Sequence, residues 1–231
     1  MARGGGGIRW TIALGDALGA RGHLREALAL SPRDPFILAV GALLLSPLVP
    51  EDSFRRYRAT WARTTDPYNE KPPPPFLAWL ASKGDTLVLA HLAAVAPRGG
   101  DDEAAARAYL ALARRDTADA VRRLLALPDS SLLLWRNTRM VKVQLLRATG
   151  HLEEAGRLLR RPLSPWGSNY EFVDGLWHLE RGRTFERLGE SDAARRAYRT
   201  VSELWIHADP DLQPLVAEAR EALARLGKRS S

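Results

Sequence analysis

The sequence predicts an all-α chain built as a solenoid of helix-turn-helix repeats, and three observations carry that expectation. Two hexapeptides nearly coincide, Gly22-His23-Leu24-Arg25-Glu26-Ala27 and Gly150-His151-Leu152-Glu153-Glu154-Ala155, and a third version follows as Gly189-Glu190-Ser191-Asp192-Ala193-Ala194. Apolar residues recur at helical spacing on both sides of each, so each hexapeptide marks a tight turn between two helices. The turns at Arg115-Asp116, Gly150 and Gly189 stand 35 and 39 residues apart, and Gly84-Asp85-Thr86 and Arg115-Asp116-Thr117 stand 31 apart. Periods of this length belong to arrays of helix pairs in which each pair covers the apolar face of the next.

Taken in chain order, residues 1–33 read as a degenerate helical repeat. Leu14, Gly15, Leu18, Gly22 and Ala27 keep a first helix and its turn, and Pro32 and Pro35 then cut the second helix short. Residues 34–100 read as an irregular helical segment with helices near 36–45, 53–64, 76–82 and 86–95. The run Pro72-Pro73-Pro74-Pro75 inside it reads as a stiff connector that ends in the first turn of a helix. A ligand for a proline-binding domain is the other meaning such a run can have. Residues 101–231 read as repeats closed by a cap helix near 212–226, with Pro214 in its first turn and Gly227 as its stop. The periods give about four to five helix pairs in all.

Composition bounds the function. Of 231 residues 45% are apolar and 26% charged, as in an ordinary globular chain. No cysteine is present, which excludes disulfides, thiolate nucleophiles and cysteine metal sites. The net charge is +7, and a basic chain attracts polyanions. The 27 acidic residues are however mixed among the basic ones. Stretches such as 181–187 alternate in sign, the pattern of a solvated, ion-paired helix face. The glycine-rich start lacks the apolar run of a signal peptide. The most apolar stretch, 36–49, is 14 residues long, short of the roughly 20 that a membrane span needs. A cytoplasmic chain without membrane association is the resulting expectation.

The search for chemistry finds no catalytic site, cofactor site or metal site. His23 and His151 follow glycine in two equivalent turns, which suits a structural role such as capping. His207, Asp209 and Asp211 form the most ligand-like group, but capping of the next helix by Asp209 or Asp211 explains them. Asp101-Asp102-Glu103 and Glu153-Glu154 stand at helix starts, where carboxylates complement the helix dipole. There is no H-E-x-x-H, no G-x-S-x-G and no phosphate loop. Most of the seven tryptophans fall in apolar helical patterns and are expected in the core.

The segment Gly182-x2-Phe185, Gly189, Ala194-x3-Tyr198 resembles the tetratricopeptide repeat, whose pattern runs W-x2-L-G-x2-Y, A-x3-F, P. The stretch from Arg139 keeps Leu146, Gly150 and Ala155-x3-Leu159, and the stretch from Ala104 keeps Ala108, Ala111 and Ala120-x3-Leu124 with Arg115 in place of the turn glycine. Residues 177–226 are also similar to repeat regions that follow Ser/Thr kinase or regulator domains in bacterial signalling proteins, although no H-R-D or D-F-G is present. The resemblance implies a superhelix whose first helices line a concave face. It puts Tyr109, Asn137, Gln144, Arg147, Arg183 and Glu186 on that face as partner-binding residues. It thereby implies a non-catalytic scaffold or sensor that binds a protein or peptide, with an acidic partner suited to the arginines. A nucleic-acid-associated repeat in a transcription regulator is the alternative, supported only by a pI near 10.2.

Overall fold

A computed structural model describes residues 74–127, 136–161 and 174–228, together with 21–23, 25–26, 29, 55, 58–63 and 65. The N-terminal glycines, the expected helix near 36–45, Pro72, Pro73, Trp10, Trp135 and Trp166 lie outside the described residues. Among the described residues, nine α-helices and one 3-10 turn are delimited, further helical residues lie at 25–26, 29, 55 and 58–61, and no strand occurs, so the described structure is all-α.

The described residues form two compact units, one drawn from Leu38–Thr149 and one from Met1–Ile37 with Gly150–Ser231. The division falls between residues 149 and 150, within the stretch read as one run of repeats from residue 101. The reason lies in the packing of the helix that begins at Asp101, which rests on the two helices before it.

In the first unit the helices are α1 (Pro74–Ser82), α2 (Thr86–Val95), α3 (Asp101–Ala113), α4 (Thr117–Ala126) and α5 (Arg136–Ala148). The expected helices at 76–82 and 86–95 are thus present, and the first begins at Pro74, inside the proline run. Proline suits that place because its missing N–H has no helical partner there anyway. Helix α3 packs against α1, α2 and α4, and α5 against α1 and α4. Leu80, Leu89, Ala108, Tyr109, Leu124, Met140 and Val143 are buried between them. Trp61 meets Phe76 edge to face with ring centres 4.4 Å apart.

The second unit holds α6 (Leu152–Leu159), α7 (Asp174–Arg187), α8 (Ser191–Leu204), the 3-10 turn Pro210–Leu212 and α9 (Gln213–Lys228). Helix α7 packs against α6, α8 and α9. Bare glycine backbone lets it do so closely. A Cβ on Gly182 would stand 2.5 Å from the Tyr198 ring, and one on Gly175 would stand 2.0 Å from the Trp205 ring, both on the α8 side. Trp177 and Trp205 are buried. Helix α9 starts one residue later than expected and runs through Gly227 to Lys228, so that glycine does not stop it.

The corners repeat in detail. Gly84, Arg115 and Gly189 all take positive φ, at 68°, 63° and 79°. Each donates its N–H three residues back, to Ala81, Leu112 and Glu186, while the next residue donates five back, Asp85 to Leu80, Asp116 to Ala111 and Glu190 to Phe185. This paired bonding closes a helix through a left-handed residue. Asp85 and Asp116 then cap α2 and α4 by accepting from Val88 and Asp119 at 3.3 and 3.0 Å. Gly150 has φ 85°, and His151 follows as the N-cap of α6. No cap hydrogen bond comes from the His151 side chain, so the capping role expected for this histidine is not taken.

Asp209 and Asp211 also act differently from expectation. The 3-10 turn receives no side-chain cap from Asp209. Its carboxylate accepts the backbone N–H of Arg25 at 2.9 Å, and Asp211 pairs with the Arg25 guanidinium at 2.6 Å. The Asp209 N–H donates to the Gly22 carbonyl at 2.9 Å. The loop therefore clasps the N-terminal turn, and capping is exerted across 184 residues of sequence instead of locally.

No helix among the described residues is long and apolar enough to cross a membrane.

Candidate functional site

Helix α7 offers the densest polar arrangement. Its length is buried on several sides, so polar residues placed on it must find partners within the unit. Glu180 is fully buried, and its carboxylate accepts from Arg183 Nη1 at 2.7 Å. The same guanidinium grips Glu218 on α9 with both arms, Nε at 2.7 Å and Nη2 at 2.5 Å. Burial opposes the Arg183 charge, but Glu218 and Glu180 outweigh it and hold the guanidinium firmly protonated. One turn further on, Glu186 accepts the Tyr198 hydroxyl at 2.9 Å and meets Arg225 of α9 at 3.3 Å. Burial, then the bond to Glu186, raises the Tyr198 hydroxyl above the ordinary phenol range.

The structure thus brings Arg183 and Glu186 together on one face of α7, and that face is engaged by Glu218 and Arg225 of the last helix. The other expected binding residues lie in the first unit. Gln144 and Arg147 are half-buried on α5, three residues apart and so on one face. Asn137 stands in the first turn of α5, and its side chain lies outside the described residues. Tyr109 is a correction. It is 0% exposed, its hydroxyl has no hydrogen-bond partner among the described residues, and burial alone raises its pKa. Its ring fills the space between α3 and its neighbours, so it belongs to the core and not to an open face.

Sequence reasoning missed the other side of α7. His178, Arg181 and Phe185 follow at i, i+3 and i+7 and share a face. The Arg181 guanidinium carbon lies 5.8 Å from the Phe185 ring centre, and that of Arg160 on the end of α6 lies 5.5 Å from it. Arg160 is paired with Glu190. Arg181 Nε, His178 Nδ1 and Thr184 Oγ1 are buried and have no hydrogen-bond partner among the described residues. Burial, then repulsion from Arg196 of α8, lowers the Arg181 pKa. Burial, then Arg181, pushes the His178 imidazole down to about 4. The alternating charges of 181–187 suggested a solvated face. In fact Arg181 and Arg183 sit about 200° apart around the helix, one against aromatic and cationic groups and the other between carboxylates.

The remaining acidic groups have structural roles. Glu103 accepts the Gly99 N–H at 2.7 Å and pairs with Arg107, which holds its carboxyl below the ordinary range. Asp101, Asp102, Glu153 and Glu154 occupy first turns of helices, as expected. No group of three or more His, Cys, Asp or Glu that could hold a metal occurs among the described residues.

No protein-family model, curated protein or solved structure matches the chain.

Proposed function

We propose that this chain is a non-catalytic interaction module of the tetratricopeptide kind. It holds an acidic segment of a partner protein and serves as the scaffold or sensor part of a cytoplasmic bacterial signalling system. The observation that carries this reading is the recurrence of one corner geometry at Gly84, Arg115 and Gly189, with the same pair of backbone hydrogen bonds each time. Helix pairs joined in this way present their polar flanks to other molecules. The Gly182–Tyr198 contact supports it too, because it joins two positions of the segment that resembles the repeat pattern, one in each helix of the pair.

Binding falls to α5 in the first unit, through Asn137, Gln144 and Arg147. An arginine suits a carboxylate through two parallel N–H donors. In the second unit Arg183 meets an acidic segment only by exchanging Glu218 for it. Tyr109 takes no part, because it is buried.

A peptide library displayed against the purified chain tests this reading. Acidic sequences are expected to be enriched, and Arg147→Glu is expected to weaken the best of them by at least about tenfold, the scale of a lost charged contact. Failure to enrich any sequence, or equal binding by the variant, overturns it. Binding of duplex DNA at about 50 mM salt that falls steeply as salt rises replaces it with the transcription-regulator alternative.

A further inference from the structure

Arg181 is a half-buried cation whose Nε is buried, and it has no counter-charge among the described residues. An arginine cannot shed its proton, so a desolvated guanidinium normally rests on a carboxylate. Among the described residues Arg181 rests only on the Phe185 ring. The one charge among them that acts on it is that of Arg196 from α8, and the His178 imidazole on its own helix, its pKa held near 4 by burial, is neutral at neutral pH, so neither supplies a negative charge. Arg160, at the other contact of the same ring, already has Glu190. Contact with an aromatic face offsets only part of a burial cost. The same stretch of α7 carries three of the four buried side-chain atoms that lack a hydrogen-bond partner among the described residues, His178 Nδ1, Arg181 Nε and Thr184 Oγ1. Thr184 is fully buried, while Arg181 is only half-buried and Arg196 is exposed, so the group opens to solvent on the α8 side.

We propose that Arg181 and Arg196 form a binding site for a phosphate dianion, with the guanidinium of Arg181 at its floor beside His178 and Phe185. The Arg196 charge on α8 is felt at Arg181 as a repulsion, and a phosphate group carries about −1.5 to −2 at neutral pH, enough to offset both cations. A single carboxylate would leave one of the two arginines uncompensated. Arginine's planar donors suit phosphate oxygens as well as they suit carboxylates. The phosphate can come from a free small ion or from a phosphorylated side chain of another protein. This site does not depend on the partner-binding face, since Arg181 and Arg183 point to opposite sides of α7.

Thermal melts and calorimetric titrations of the full chain with sodium phosphate, at ionic strength held constant with chloride, read the site directly. The expected result is a saturable rise in melting temperature with phosphate that sodium acetate does not reproduce. Arg181→Met abolishes it, since methionine keeps the contact with Phe185 but not the charge. Arg196→Ala weakens phosphate at least about tenfold and sits on an exposed position, so folding is not at issue in that variant. Arg199→Ala removes the same net charge from an exposed position of α8 and leaves the response intact. A phosphoserine peptide that binds more tightly than inorganic phosphate identifies a modified protein as the source, and equal affinity identifies the free ion. Absence of a saturable response, or an equal response in Arg196→Ala and Arg199→Ala, overturns the proposal.

Discussion

The ring of Tyr198 on α8 lies against the bare backbone of Gly182 on α7, so close that a Cβ at residue 182 would stand 2.5 Å from Cε1 and 2.8 Å from Cζ. The ring cannot simply swing away, because Tyr198 is buried and its hydroxyl is tied to Glu186. Gly182→Ala is therefore expected to lower stability by about 1–3 kcal/mol through overpacking. Alanine at a helix position without such a neighbour raises it by roughly 1 kcal/mol. Adding Tyr198→Leu, which vacates the space, is expected to recover part of the loss in urea unfolding. A double variant that loses the full sum of the two single effects counts against this contact.

Arg115 holds the place that glycine holds at the other corners, with φ 63°. A side chain in the left-handed region costs roughly 1–2 kcal/mol, and glycine's extra freedom in the unfolded chain gives back about 0.5–1 of that. Arg115→Gly is accordingly expected to stabilise the chain by about 0.5–1 kcal/mol. Gly189→Ala is expected to destabilise it by a similar amount, since nothing lies within 4 Å of an added Cβ and only the backbone conformation is at stake. Denaturant midpoints of the two variants should move in opposite directions. Movement in the same direction would show that the corners are not equivalent.

These corners were the legible part of the sequence. A glycine or arginine followed by a helix-starting residue fixes the local hydrogen bonds almost by itself, so Gly84, Arg115, Gly150 and Gly189 could be located from spacing alone. The side-chain partners were not legible. Arg183 and Glu218 are 35 residues apart and Arg25 and Asp211 are 186 apart, and nothing local announces either pair. Tyr109 was assigned to an open face because helical spacing distinguishes the sides of a helix but does not say which neighbours cover them. In α3 the helices on both sides leave it no exposed area. The same limit hid Arg181, whose surroundings come from α6 and α8.

Arg183 is the cation on which two carboxylates converge, and they are unequally exposed. Glu180 is fully buried, whereas the Glu218 side chain is 37% exposed. Removing one member of a buried ion pair is expensive because the other stays desolvated. Arg183→Met is expected to cost about 3 kcal/mol, and adding Glu180→Met to recover most of it, as both charges are then gone. Glu218→Gln, at the solvent edge, is expected to cost no more than about 1 kcal/mol. Urea unfolding of the three variants orders them. An Arg183→Met effect as small as that of Glu218→Gln would mean that Glu180 does not rely on this guanidinium.

His178 makes the second unit acid-sensitive. Burial first, and then the charge of Arg181, push its pKa from 6.5 down to about 4. Between those values the unfolded chain takes up a proton that the folded chain refuses, so unfolding is favoured as protons are added. Stability is fully present above pH 6.5 and falls as the pH drops toward 4. Allowing for the part of the ring that solvent still reaches, the loss is on the order of 2 kcal/mol. The sign is that of a depressed base, opposite to a histidine stabilised by a carboxylate. Carboxylates held low by their partners, such as Glu103 and Asp119, add their own loss only below their ordinary range. The interval from pH 6.5 to about 4.5 therefore isolates the imidazole. His178→Leu keeps the apolar contacts and removes the titrating group, so its melting temperature is expected to stay flat across that interval while that of the parent chain declines. Parallel curves for the two proteins would place the acid sensitivity elsewhere.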